Sequence, residues 1–391
     1  MKGRLRPVDY LGWALGVSAQ ARFDLTGSGV PDTCGPNSLA LRDHVEDEDE
    51  PEGLPGPDWD PGLSFANLCR RDQRPELHAD FLRVVAHRYG LAPECVIPTL
   101  GASQAIPQVL FALARPGDHV IVERPTYEPL HRVPEMLGLS VSRLERKFEE
   151  GWSLLPDRLA RLLTPKTRAV ILTNLHNPSG VAMPTETLVA IGEMAARVGA
   201  AVLVDEVYLD FAFDPSGETQ PWRPAAVAID NGVSWSSTTK AFGFSALRAG
   251  WVVTRDLELA QALRAASLYF HVDSPLASIA LATRVMRHAP ALAARAQRSI
   301  ARVKTVVDRW IANEPRVTWV PPSAGQTGLI RLPDLMQDLA FAQHLRERYD
   351  TQVVPGAMFE APGAVRLSFN LPVDRLEQAL GNFSAALDDL A

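Results

Sequence analysis

Cysteine is scarce in this chain: Cys34, Cys69 and Cys95 are the three in 391 residues. Their spacing fits no metal-ligand pattern, and an odd number cannot all pair within one chain. Free thiols in a reducing compartment are the expectation. No apolar run is long enough to span a bilayer. The basic start, Met1-Lys2-Gly3-Arg4-Leu5-Arg6-Pro7, lacks the continuous apolar core of a signal peptide, so a cytoplasmic location is expected. Positive charge is also in deficit: 39 Lys and Arg face 46 Asp and Glu for a net charge of -7, which argues against a nucleic-acid partner. His-Glu-x-x-His, a Walker loop, Gly-x-Gly-x-x-Gly and Gly-x-Ser-x-Gly are all missing. Metal, nucleotide and serine-hydrolase chemistries thereby lose their main support.

Core-forming residues are plentiful, with 46% hydrophobic and 22% charged. Short apolar runs occur at His119-Val120-Ile121-Val122-Glu123, Ala169-Val170-Ile171-Leu172-Thr173, Ala201-Val202-Leu203-Val204 and Val233-Ser234-Trp235. Amphipathic segments separate several of them, including Thr187 to Val198. A further helix, from Glu76 to Gly90, carries Leu77, Phe81, Val84, Val85 and Tyr89 at helical spacing. Apolar strands alternating with helices imply an α/β fold with a mostly parallel sheet covered on both faces. Ligands of such sheets sit beyond the strands' carboxyl ends.

The most informative stretch is Ser237-Thr-Thr-Lys240-Ala-Phe-Gly-Phe-Ser-Ala-Leu-Arg248-Ala-Gly250, flanked by strand-like Val233 to Ser236 and Trp251 to Thr254. A lysine is a solvated surface charge by default, but the flanks Ala241, Phe242, Phe244, Ala246 and Leu247 are too apolar for a solvated loop. A buried amine has a lowered pKa and becomes a nucleophile for carbonyls. Arg248 supplies a planar cation suited to phosphate. Before Pro107, the sequence Gly101-Ala102-Ser103 opens a helix carrying Ile106, Val109, Leu110 and Leu113, with Pro107 accommodated in the first turn, where N–H groups lack partners anyway. Small residues at a helix N-terminus make an anion site.

Three motifs follow strand ends: Pro125-Thr126-Tyr127, His176-Asn177-Pro178-Ser179-Gly180 and Asp205-Glu206-Val207-Tyr208. A carboxylate ending a buried strand is costly unless a cation meets it. Read alone, Tyr127 and Tyr208 could be packed aromatics, Asn177-Pro178 a turn and Gly29 part of an ordinary Gly/Pro turn. Arg366, in the alternating strand Ala364 to Phe369, would by default face outward into solvent. Further elements are hairpin-like strands at Val317 to Val320 and Gly328 to Arg331, and a long helical stretch from Leu276 to Asn313, broken near Pro290. Tyr10 to Leu15 forms a short amphipathic arm that could pack on a partner. The acidic run from Val45 to Glu52 is a solvated loop or an acidic lid.

Together these motifs resemble the class I/II aminotransferase family, fold type I pyridoxal-phosphate-dependent enzymes, over about residues 20 to 390. The resemblance implies a large pyridoxal 5'-phosphate-binding domain with a mostly parallel sheet covered by helices, plus a smaller α+β domain. Its boundaries are expected at 1–40 for an N-terminal arm and part of the small domain, 41–285 for the large domain and 286–391 for the C-terminal small domain. By the same resemblance Lys240 forms the Schiff base and moves the substrate Cα proton, Asp205 pairs with the pyridine nitrogen, and Tyr208 and Asn177 donate to the phenolic oxygen. Tyr127 stacks on the ring, while Gly101, Ala102, Ser103, Ser237 and Arg248 hold the phosphate. The substrate contacts are Gly29, Asn177 and Arg366, with Arg366 gripping the α-carboxylate.

The implied reaction moves an amino group from an L-amino acid to a 2-oxo acid in a homodimer. A pyridoxal-phosphate C–S lyase or amino-acid decarboxylase would use nearly the same residues. A non-catalytic ligand-sensing module is disfavoured because about twenty residues precede the first family-like turn, too few for a separate DNA-binding core. One departure stands out: Leu68 to Pro75 lacks the family's Tyr and glycine turn, which reach a partner subunit's phosphate. His271 is a candidate substrate contact or a structural histidine.

Overall fold

Apolar strands separated by amphipathic helices do build a layered sheet, and the sheet's carboxyl edge organises the molecule. The computed structural model describes residues 8–17, 21–30, 74–212, 223–334 and 336–390. The acidic run, Cys34, Cys69 and the stretch before Arg74 lie outside them.

The chain opens with α1 (Asp9–Val17) and β1 (Phe23–Asp24), and α2 (Arg74–Tyr89) leads to β2 (Val96–Thr99). Then come α3 (Ala102–Leu113), β3 (His119–Arg124), α4 (Pro129–Met136), β4 (Ser140–Glu145), α5 (Pro156–Leu162) and β5 (Thr167–Thr173). They are followed by α6 (Thr185–Ala196), β6 (Ala201–Asp205), α7 (Ala225–Ala228), β7 (Gly232–Ser237) and β8 (Gly250–Thr254). Helices α8 (Leu257–Phe270), α9 (Leu276–Arg287) and α10 (Ala289–Asn313) precede β9 (Thr318–Trp319) and β10 (Thr327–Arg331). The chain ends with α11 (Asp338–Tyr349), β11 (Thr351–Gln352), β12 (Val354–Pro355), β13 (Ala364–Ser368) and α12 (Val373–Asp389).

The seven-stranded sheet has the order β2-β8-β7-β6-β5-β3-β4. Its pairings are parallel except those of β8, which runs antiparallel to both β2 and β7. Side chains alternate across a strand, so one strand feeds two cores. Val120 and Val122 pack with Ile106 and Leu110 of α3 and Leu263 of α8. Ile121, one residue out of phase, packs with Leu159 of α5 and Leu188 and Ile191 of α6. Burying each such side chain is worth about 1.5–3 kcal/mol relative to exposure.

A smaller antiparallel sheet, β12-β13-β10-β9, packs against α10, α11 and α12. The N-terminal segment joins it: β1 pairs in parallel with β11, and Phe23 and Leu25 are buried in the same core. Leu25 also accepts the Ser368 N–H at 2.9 Å.

One local expectation needs correction, and two others gain detail. Pro107 is not in the first turn of its helix: α3 starts at Ala102, so the proline sits in the second turn. The missing N–H there deprives the Ser103 carbonyl of its i+4 partner. The long stretch from 276 to 313 is two helices parted at His288, with Pro290 near the start of the second, where a proline is tolerated. The amphipathic arm is α1, anchored to its own chain at Tyr10. Tyr10 donates its N–H to Glu128 Oε2 at 2.6 Å and packs against Tyr127 and Phe359.

Candidate active site

Strand ends converge on one cleft. After β2 comes the turn at Gly101, after β3 Tyr127 and after β5 Asn177; β6 ends on Asp205 with Tyr208 just beyond, Lys240 follows β7, and Arg248 lies just before β8, on the same edge. The cleft is lined by Ala102 and Ser103 next to that turn and by Tyr127, Asn177, Asp205, Tyr208, Lys240 and Arg248, with Leu11 and Ala14 of α1 on its wall. Its open space, the mouth and adjoining solvent included, is about 800 Å³.

Two glycines let the phosphate-type turn close up. Gly101 has φ of 79°, and a Cβ there would meet Arg248 Nη2 at 2.7 Å. A Cβ on Gly250 would lie 2.7 Å from the Gly101 carbonyl carbon. The Arg248 guanidinium is thereby laid against the first residues of α3, whose free N–H groups favour an anion. Ser237 and Thr239 also line the cleft.

Lys240 Nζ donates to Ser28 Oγ at 2.8 Å. Burial lowers its pKa, Tyr10 and Asp205 oppose the shift, and Arg366 and Arg248 add to it. Gly29 passes so close that a Cβ would meet Lys240 Cα at 3.2 Å, and Val30 donates its N–H to the Lys240 carbonyl. Across the cleft, Asp205 accepts the Val207 N–H at 3.2 Å. No cation among the described residues forms an ion pair with it, and burial pushes its carboxyl up to about 6. Next to it Glu206 faces away, accepting the Ala225 N–H at 2.7 Å, and burial pushes its carboxyl to about 8.

Asn177 follows β5 in a turn pinned from several sides. Buried His176 touches Ser179 Oγ through Nδ1 at 2.7 Å and the Pro125 carbonyl through Nε2 at 2.9 Å. Its pKa is held well below the ordinary value by burial and by Arg146, so the ring is neutral, with Nε2 donating and Nδ1 accepting. Gly180, at φ of 73°, has no room for a Cβ, which would meet Pro322 Cβ and the Thr327 carbonyl oxygen at 2.6 Å.

Arg366 departs most from its default. It lies on β13 with no exposed surface, not outward in solvent. Nη1 donates to Asn177 Oδ1 at 3.2 Å, and Nη2 donates to Tyr10 Oη at 3.2 Å and to the Thr26 carbonyl at 2.9 Å. The guanidinium also lies over the rings of Phe359 and Tyr10. No carboxylate among the described residues pairs with it, and its Nε has no acceptor. A buried guanidinium without a counter-ion is costly. An anionic ligand would relieve it.

Comparison with known proteins gives this geometry a context. The family described as aminotransferase class I and II matches residues 67–383. The chain belongs to that family. This aminotransferase is 28% identical over 289 residues to an arginine–pyruvate transaminase of Pseudomonas aeruginosa, covering 73% of each chain. It is 29% identical over 317 residues, 80% of each chain, to a capreomycidine synthase of Streptomyces vinaceus. A solved pyridoxal-phosphate-dependent aminotransferase of Streptococcus suis superposes with a TM-score of 0.83 at 25% identity, over 100% of this chain and 99% of that one.

Gly101, Ala102, Ser103, Tyr127, Asn177, Asp205, Tyr208, Ser237, Lys240 and Arg248 are thus brought around one cleft, with Gly29 behind Lys240 and Arg366 behind Asn177. The set suits pyridoxal phosphate on the structure's own terms. It offers an anion cradle, a buried carboxylate lacking a cation and an amine biased toward its neutral form. His271 is not part of it: Nδ1 meets Gln104 Nε2 at 2.6 Å, a contact within the chain at the start of α3. Sequence reasoning missed Tyr10, Ser28 and Thr173 as cleft residues. Thr173 carried a signal, a polar residue ending an apolar strand as Asp205 does. Tyr10 carried none, because its partners lie more than a hundred residues away.

Glu206 provides a test of the burial argument. Its folded-state pKa of about 8 lies above the ordinary carboxylate value, so the native chain holds this proton more tightly than the unfolded chain. The stability so gained is full below the ordinary value and is lost as pH rises through the folded one. Glu206→Gln removes the titration. In denaturant unfolding of the ligand-free protein the variant should therefore gain on wild type by up to about 4 kcal/mol between pH 5 and pH 9. A gap that does not change with pH would mean that Glu206 ionises as an ordinary carboxylate.

Proposed function

We propose that the cleft binds pyridoxal 5'-phosphate through Lys240 and transfers an amino group from an L-amino acid to a 2-oxo acid. The observation that carries this reading is the meeting of a half-buried amine and a buried carboxylate without an ion pair in one cleft, with a buried guanidinium lacking an anion behind Asn177. When bound, the cofactor supplies an electron sink for the negative charge that develops at the substrate Cα.

The chain's own residues have separable tasks. The N–H groups opening α3, with Ser237 and Arg248, hold the phosphate. Asp205 takes the ring nitrogen's positive charge as its missing partner, and Tyr127 covers a ring face. Asn177 and Tyr208 donate to the phenolic oxygen. Lys240 Nζ, biased by burial toward its neutral form, is the attaching amine and then takes the Cα proton. Arg366 receives the substrate α-carboxylate, with the Gly29 backbone beside it. The proposed division at residues 1–40, 41–285 and 286–391 sets the two sheets in separate domains, the cleft lying between them.

The relative named a capreomycidine synthase favours a second reading, chemistry in the same cleft without net amino transfer. Conversion of the bound cofactor to its amine form by an amino acid separates the two. Arginine and pyruvate belong in the first substrate panel, as the transaminase relative's name suggests.

A homodimer in the cytoplasm is part of the proposal. Leu268, Tyr269 and Val272 are exposed at 63%, 79% and 77%, and the ring of Tyr269 lies 5.4 Å from that of half-exposed Phe111. A contiguous apolar patch of this kind marks an interaction surface. It adjoins the C-terminal end of α3 at Phe111, where a second copy would be seated.

Three outcomes follow. Borohydride reduction of the holoenzyme and peptide mapping should label Lys240, and Lys240→Ala should abolish turnover; label on another lysine refutes the attachment. Arg366→Lys keeps the charge but loses the fork, and each lost charge-assisted bond is worth about 1.5–3 kcal/mol. KM for amino acids should therefore rise by roughly tenfold or more while slow turnover of amines lacking a carboxylate hardly changes; equal losses for both would indicate a folding defect instead. Sedimentation equilibrium should give a dimer for wild type and a shift toward monomer for Tyr269→Glu, and a monomeric wild type would overturn the interface.

A further inference from the structure

The geometry points to Thr173 as a positioning residue, anchored by the buried Glu123–Arg146 pair, that aims Asn177 into the cleft; this role rests on the cofactor reading above. Glu123, next to last in β3, has no exposed surface, and Arg146 Nε donates to its Oε2 at 2.8 Å. Arg146 is itself tied to the Trp152 carbonyl through Nη1 at 2.8 Å. A fully buried ion pair contributes little net stability, because desolvation offsets most of the attraction. What this pair does is fix an oxygen.

That oxygen, Glu123 Oε1, accepts both the N–H and the Oγ1–H of Thr173 at 2.6 Å. The hydroxyl hydrogen is thereby committed, and the Oγ1 lone pairs are left for another donor. They receive the Asn177 backbone N–H at 3.1 Å. A hydroxyl that donates to a carboxylate is polarised into a better acceptor. At the other end of Asn177, Arg366 can only donate, so the atom facing it must be Oδ1. The Asn177 amide nitrogen is therefore turned away from Arg366 with its two hydrogens to give. The backbone anchor from Thr173 and the side-chain anchor from Arg366 together set where they point. Thr173 lies opposite Asp205 in the β5–β6 register, so the same strand ends carry both groups.

Thr173→Val tests the idea with little change of shape. It keeps the backbone bond to Glu123 and the Glu123–Arg146 pair, and removes the hydroxyl alone. Thr173→Ser restores the hydroxyl without the methyl. Wild type is first titrated with pyridoxal phosphate; no absorbance change there would sink the cofactor reading itself. In the holoenzyme, Thr173→Val should lower kcat by roughly tenfold or more, as a misplaced positioning group does. It should also move the pH midpoint of the bound cofactor's absorbance upward, since an amide that no longer donates to the phenolic oxygen stabilises its anion less. Thr173→Ser should restore both. A valine variant with wild-type kcat and midpoint, or a serine variant as impaired as valine, overturns the proposal.

A second arm needs no cofactor. Amide exchange in peptides spanning residues 174–182 should be faster in the valine variant than in the serine variant. Equal exchange would show that the hydroxyl does not anchor Asn177, whatever the cleft binds.

Discussion

Holding charge away from water is the constraint that shapes this aminotransferase. Asp205 and Arg366 lie inside the protein, where an isolated charge is penalised by several kcal/mol unless something answers it, and Lys240 is half-buried at the cleft wall. The chain answers each only in part. Asp205 has one backbone N–H and no ion pair among the described residues, and its carboxyl rises to about 6. Lys240 shifts the opposite way, toward the neutral amine. Arg366 is spread over a side-chain amide, a phenol and a carbonyl. A bound group with a cationic ring nitrogen and a reactive carbonyl, together with a second ligand's carboxylate, would complete all three.

Such a site needs rigid surroundings, and two features provide them. One is the neutral, buried His176, which ties the Pro125 loop to the Ser179 turn, with Gly180 letting the loop near Pro322 close over that turn. The other is the N-terminal segment from Phe23 to Val30. It pairs with β11, bonds β13 through Leu25, meets Arg366 through Thr26 and Lys240 through Ser28 and Val30. One short length of chain therefore links the small sheet to the lysine and to the arginine. Any shift between the two sheets must be felt at the cleft.

Tyr10 adds a third contact of this kind. Its hydroxyl sits on Arg366 and its ring lies between Tyr127 and Phe359. Helix α1 is short and exposes Leu15, so what holds it is this aromatic contact and the bond to Glu128 rather than a broad apolar face.

The sequence by itself determined the strands, their alternation with helices and the residues at their carboxyl ends, because those depend on local pattern: β3, β5, β6 and β7 are apolar runs, and Gly101, Asn177, Asp205 and Lys240 follow strand ends. The family resemblance rested on those same local motifs. Only the tertiary structure decided what depends on distance along the chain. Alternation placed Arg366 on a strand but could not tell a buried face from a solvated one, since that is set by Phe359, Tyr10 and Asn177 arriving from elsewhere. The same holds for Thr173, whose hydroxyl has meaning only because Glu123, fifty residues earlier, and Arg146 meet it inside the core. Local pattern encodes period and propensity, whereas burial and hydrogen-bond partnership are properties of the folded chain.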